Sequence, residues 1–163
     1  MNPATIADCM QASFGDTPFP VVVQRLAGAG VAAYTADLIA LRKTYYDADA
    51  ETLDKPMPLT DKPAIAARFD AATVEATVKA IQRGEIGYAE FLRRIMRAGC
   101  ARYSVFFGGR KAVYFGRDGD SYTEPFPAAA WPLKPRDAGG SLRRRFIFGF
   151  AVISLPRAPS ASR

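Results

Sequence analysis

The chain of 163 residues contains no histidine and two cysteines. Without histidine there is no Ser-His-Asp or Cys-His nucleophile system. No imidazole can ligate a metal, and two thiols alone cannot build a structural zinc site. Long apolar runs are also missing. The longest, Phe146 to Leu155, spans ten residues, about half of a bilayer crossing of roughly 20. The first residues, MNPATIADCMQ, show neither a basic nor an apolar signal segment. The reading is a cytoplasmic protein, with Cys9 and Cys100 as small buried hydrophobes in helical contexts.

What is present is ordinary for a globular domain, with 49% hydrophobic and 23% charged residues. The net charge of +6 is unevenly placed. Residues 1–127 carry 15 basic and 15 acidic side chains, so the whole excess lies in residues 128–163. There Arg143, Arg144 and Arg145 precede the apolar run, within a segment rich in Ala and Pro. This segment reads as a basic tail, possible as an extra strand, a membrane-docking stretch or an end without function.

Sliding the chain by 69 residues without a gap exposes an internal repeat. Eleven identities fall within residues 4–58 and 73–127, among them Gly15/Gly84, Arg25/Arg94, Gly30/Gly99, Tyr34/Tyr103, Tyr45/Tyr114 and Pro56/Pro125. Most fall on structural punctuation. Each copy reads as two helices and three strands. Apolar spacing predicts helices over 4–14, 18–28, 73–83 and 88–98, with glycines at or near their ends. Strands are expected over 33–38, 41–46 and 51–54, and again over 103–107, 110–115 and 121–126. The expected fold is α+β, a two-layer sandwich of two αα-βββ units with antiparallel strands. It forms one domain over 1–127, joined through residues 59–72.

Gly108-Gly109 as a two-residue hairpin turn fixes the register. It pairs Tyr103 with Tyr114, and the repeat then pairs Tyr34 with Tyr45. That face, with Ala36, Leu38, Leu41, Val105 and Phe107, belongs under the helices. The other face carries Asp37, Arg42, Thr44, Tyr46, Arg102, Ser104, Phe106, Lys111, Val113 and Phe115. It is unusually aromatic and apolar for a free sheet face. The simpler expectation is that the two copies pack on each other there; the alternative is a partner surface. In the same register Asp37 opposes Arg42, which suggests a cross-strand ion pair.

Local motifs yield no chemistry. Gly28-Ala-Gly-Val-Ala-Ala33 fits a dinucleotide fingerprint, which requires a strand before it and a helix after it. The repeat predicts the opposite order. Asp118-Gly119-Asp120 lacks the remaining spacing of a calcium loop and reads as a polar turn. No catalytic, cofactor-binding or metal-ligating residue is assigned, and no cofactor is implied.

The segments Ile81-Gln-Arg-Gly-Glu-Ile86, Phe91-Leu-Arg-Arg-Ile-Met96, Ala98-Gly-Cys100, Tyr114-Phe-Gly-Arg117, Gly119-Asp120 and Glu124-Pro-Phe-Pro127 resemble the YdfO/YbcV-like bacterial and prophage family. Phe19-Pro20 and Lys43-Thr-Tyr-Tyr46 add to the likeness. The family is of unknown function and sometimes carries the label "phage envelope protein". The resemblance covers about residues 5–127. It implies a small two-layer α+β protein and no assigned activity, cofactor or catalytic residue. The tail departs from it.

The leading functional expectation is a non-enzymatic binding module for a protein or small ligand. Its candidate surface is Asp37, Arg42, Tyr46, Arg102, Phe106, Lys111 and Phe115, with the turn residues Arg117, Asp118 and Asp120. Interleaved cations and aromatics also fit single-stranded nucleic acid, on this face or on the tail. A histidine-independent enzyme is the third reading, which a pocket holding a carboxylate of strongly shifted pKa would favour.

Overall fold

Asn2 and Asp70 begin the two repeats in the same way. The Asn2 carboxamide oxygen accepts the Ala4 and Thr5 N–H groups, at 3.1 and 3.2 Å, and opens helix α1 (Pro3–Phe14). The Asp70 carboxylate accepts the Thr73 N–H at 3.0 Å and opens α3 (Ala71–Gln82). These side chains satisfy N–H groups that the first helical turn leaves without partners. Helix α2 (Phe19–Gly28) follows α1, and α4 (Tyr88–Arg97) follows α3. The computed structural model describes residues 1–15 and 17–127; the basic segment 128–163, with its expected tail functions, lies outside them.

Three strands follow each helix pair: β1 (Ala33–Asp37), β2 (Arg42–Tyr46) and β3 (Thr52–Pro56), then β4 (Arg102–Phe106), β5 (Lys111–Phe115) and β6 (Ser121–Pro125). They form one six-stranded antiparallel sheet in the order β3-β2-β1-β4-β5-β6. The expected register holds: Tyr103 faces Tyr114, and Tyr34 faces Tyr45. The third strand of the first copy runs two residues beyond its expected end. It is an edge strand, where a terminal proline costs no ladder hydrogen bond.

The repeats meet differently from the simpler expectation. They do not stack face to face. They join edge to edge through β1 and β4, with Thr35 opposite Ser104. Those two residues are 69 apart, so each occupies the same place in its own copy. The joint therefore has a pseudo-two-fold axis through its centre. The flanking bonds obey the same symmetry: Leu38 N–H to Ala101 C=O at 3.0 Å, and Phe107 N–H to Ala32 C=O at 3.1 Å. Left-handed backbone repeats as well, at Leu41 and Arg110, at Gly30 and Gly99, and at Ala50 and Gly119.

All four helices contribute to a single core against the inner face of the sheet. Ile6, Val23, Leu26, Val74, Leu92, Ile95 and Met96 are almost wholly buried, together with Tyr34, Tyr45, Tyr103 and Tyr114. Side chains alternate across the sheet, so the outer residues stand away from this core. The linker crosses the end of α4 as a strap. The Ala66 N–H bonds to the Met96 carbonyl at 3.1 Å, and the Asp70 N–H to the Ala98 carbonyl at 2.8 Å.

Candidate functional site

The outer face consists of three cross-strand rows. The middle row is Asp54, Thr44, Thr35, Ser104, Val113 and Thr123. It is short and rich in hydroxyls. Thr44 donates to Asp54 at 2.6 Å, and the Thr35 and Ser104 hydroxyls are 2.8 Å apart. On one side lie Arg42, Asp37, Arg102 and Phe115; on the other lie Tyr46, Ala33, Phe106 and Lys111. The pseudo-two-fold axis exchanges these outer rows. Arg42 therefore answers to Lys111, and Tyr46 to Phe115. The result is a row rich in hydroxyls between two banks that each carry cations and rings.

The banks differ in detail. Phe106 is 38% exposed, which is high for a phenylalanine. Arg102 places its guanidinium 5.0 Å from the centre of the Phe115 ring, a cation–π contact. Asp37 and Arg42 do not form the expected ion pair. Asp37 instead accepts the Ile39 and Ala40 N–H groups, both at 2.9 Å, in an Asx turn that builds the β1–β2 connection. Arg42 lies 3.8 Å from Asp54. Among the described residues, Arg102 and Lys111 have no carboxylate at ion-pair distance.

Arg117, Asp118 and Asp120 lie apart from these rows, in the turn after Phe115, with Gly119 at φ +93°. The Arg117 guanidinium donates to the Ile65 carbonyl at 3.1 Å and so holds the strap. The dinucleotide-like glycines end a helix and lead into strand β1, the reverse of the order that fingerprint needs.

Two buried charged residues escaped the sequence reading. Lys43 is 3% exposed on the inner face, with its ammonium 4.9 Å from the Tyr34 ring centre and 4.7 Å from that of Tyr88. Parity gave the signal, because Lys43 precedes inward-facing Tyr45 by two residues. Glu124, two residues after Tyr122, is 8% exposed and accepts from the Gln82 side-chain amide. Burial pushes its carboxyl up to about 7, against the opposing pull of Gln82 and Tyr114. The same desolvation drives the phenols of Tyr34, Tyr103 and Tyr114 well above their ordinary range. The Tyr88 and Tyr103 hydroxyls hydrogen-bond to each other. Glu124 is thus a carboxylate of shifted pKa, but it sits at the α3–β6 packing contact. A groove in the helix layer, between α3 and α4, is lined by other residues.

Cys9 and Cys100 are free thiols in the core. Burial raises both, Cys100 to about 12. Among the described residues no three Cys, Asp or Glu side chains come together as metal ligands, and no helix is long and apolar enough to cross a membrane.

The fold defines a class, a repeated αα-βββ protein whose outer sheet face is open among the described residues. No protein-family model matches the chain, and no curated protein matches it.

Proposed function

We propose that the protein is a cytoplasmic, non-enzymatic binding module whose partner surface is the outer face of the sheet. One observation carries the reading: Tyr46, Phe106 and Phe115 share the outer sheet face with Arg42, Arg102 and Lys111, and among the described residues no helix packs over it. A sheet face with no partner ordinarily carries short polar side chains outward. Rings and cations interleaved there add apolar area and charge that give this fold no core. The proposed kinship with the YdfO/YbcV-like family rests on the quoted motifs and brings no activity with it.

A photo-crosslinking residue at position 106 tests this in extract of the expressing cells. A discrete adduct is expected, abolished by Phe115→Ser with the melting temperature unchanged. A crosslinking pattern identical to that from exposed Lys79 would overturn the reading.

A second reading places single-stranded nucleic acid on the same face. It is favoured by Lys111, which is directly opposite exposed Phe106 and, among the described residues, has no carboxylate at ion-pair distance. Bases stack on such rings while cations hold the phosphates. Oligonucleotide titration at two salt concentrations checks it. Salt-sensitive binding that is lost in Phe106→Ser supports it. Binding unaffected by that change would place the nucleic acid elsewhere.

A further inference from the structure

The helix layer, away from the sheet face, contains an open groove of about 610 Å3 between the start of α3, the end of α4 and the strap. Three arginines line it: Arg68 from the strap and Arg94 and Arg97 from α4, against one carboxylate, Asp70. Arg94 is paired with Glu90 at 2.8 Å. Among the described residues Arg68 and Arg97 have no ion-pair partner. The Asp70 carboxylate is occupied by Thr73, whose N–H lies at 3.0 Å and hydroxyl at 2.6 Å. That cap also engages the helix N-terminus, so the positive character of the groove comes from the guanidinium groups.

The internal repeat provides a comparison within one molecule. At offset 69, Arg94 answers to Arg25, Thr77 to Asp8 and Arg97 to Gly28. In the first copy the equivalent positions hold one base and one acid. The second copy has Thr77 in place of the acid and Arg97 in place of the glycine. Arg68 is added from the strap that joins the two copies.

The backbone holds Arg68 in place. A Cβ on Gly99 would lie 2.1 Å from the Arg68 carbonyl oxygen, and one on Gly116 would lie 2.7 Å from the Phe69 Cβ. The strap thus rests directly on two glycines and is hydrogen-bonded to the end of α4 on either side of Arg68. Arg94 and Arg97 are one helical turn apart on a shared face. Each guanidinium can present two parallel donors to an oxyanion. One phosphate would leave much of such a groove empty.

We propose that this groove binds an extended polyphosphate anion, gripped by Arg68 from the strap and Arg97 from α4, with Arg94 shared between the anion and Glu90. The free polyphosphate chain and the triphosphate of a nucleotide share this chemistry.

The experiment is calorimetric titration of the full chain at low salt with inorganic tripolyphosphate, and in parallel with a nucleoside triphosphate. Arg68→Ala and Arg97→Ala are each expected to weaken tripolyphosphate binding by about tenfold or more, the usual scale for a lost charge-assisted bond. Arg25→Ala, at the equivalent place in the first copy, is expected to leave it unchanged. Both substituted arginines are exposed, and circular dichroism confirms folding of each variant. Equal binding of the two ligands assigns the phosphate chain alone as the determinant. Tighter binding of the nucleotide, lost with the same arginines, assigns a nucleotide. Absence of tripolyphosphate binding overturns the proposal. So does binding that persists in the Arg68→Ala/Arg97→Ala double variant, which would trace it to cations outside the groove.

Discussion

Thr35 and Ser104 face each other at the centre of the sheet with their hydroxyl oxygens 2.8 Å apart, each the other's counterpart in the repeat. Two copies of a unit can form such a contact only on an axis that relates them. The bond is half-buried, and a net contribution of about 1 kcal/mol is usual for a hydrogen bond of this kind. Ser104→Ala and Thr35→Ala should each cost about that much in urea unfolding. The double variant should cost clearly less than their sum, because both changes remove the same bond. Full additivity would show that the hydroxyls act independently.

Glu124 should make stability depend on pH in the direction opposite to a salt-bridged carboxylate. Its folded pKa of about 7 lies above the ordinary glutamate value. Its contribution to stability is fully present below about pH 4, is lost as pH rises through 7, and is then constant. Glu124→Gln retains an acceptor for Gln82 and removes the buried charge. The variant should gain on the order of 2–3 kcal/mol over wild type at pH 8 and little at pH 4. Denaturation at both pH values checks this, and an equal difference at the two would refute it.

Gly30 and Gly99 share one backbone conformation, φ +88° and +84°, in different surroundings. At Gly30 the nearest atom to an added Cβ would be Met1 Cα, at 3.6 Å. Gly30→Ala should therefore cost only the left-handed penalty of about 1–2 kcal/mol. Gly99→Ala adds a 2.1 Å clash with the strap. It should cost about 3 kcal/mol or more, the range of overpacking combined with backbone strain. Similar melting temperatures for the two variants would mean that the strap moves aside readily.

Ala50 holds φ +64° at the position where the second copy has Gly119 at +93°. An L-residue with a Cβ pays there for a turn that glycine adopts freely. Ala50→Gly should raise stability by about 0.5–1 kcal/mol after the added freedom of the unfolded chain is subtracted. Thermal unfolding measures it directly; a drop would show that packing of the Ala50 methyl outweighs its strain.

The strand register was legible because Gly108-Gly109 fixes one hairpin and the offset of 69 copies it onto the other. Helix positions followed from apolar spacing and the glycines, with ends off by one or two residues where Asp70 starts α3 earlier. How the copies join was harder to read. An aromatic outer face suggests burial, and burial by the other copy is one solution. Pairing of β1 with β4 depends on backbone groups that every sequence has. Its side-chain trace is small, a threonine and a serine at equivalent places. Asp37 was placed correctly opposite Arg42, but turn N–H groups two and three residues away compete for a carboxylate better than a long exposed side chain does. Lys43 and Glu124 are not legible as buried because strand alternation marks apolar residues as inward, while a lysine stem or a hydrogen-bonded acid can take an inward position too. The arginine groove depends on the path of the strap, which the local pattern does not give.

The edge-to-edge joint also has a historical meaning. One αα-βββ unit alone would leave β1 as a bare edge and its inner face half-covered, a state that a second identical unit would relieve. The arrangement has the symmetry of a homodimer within one chain, and residues 59–70 are the thread between its halves. Fusion ends the obligation of two subunits to stay alike. Lys43 set against Ala112, Glu124 against Lys55 and Arg97 against Gly28 are differences that two identical subunits could not hold. Separately expressed halves, 1–58 and 59–127, would then be expected to find one another and rebuild the sheet.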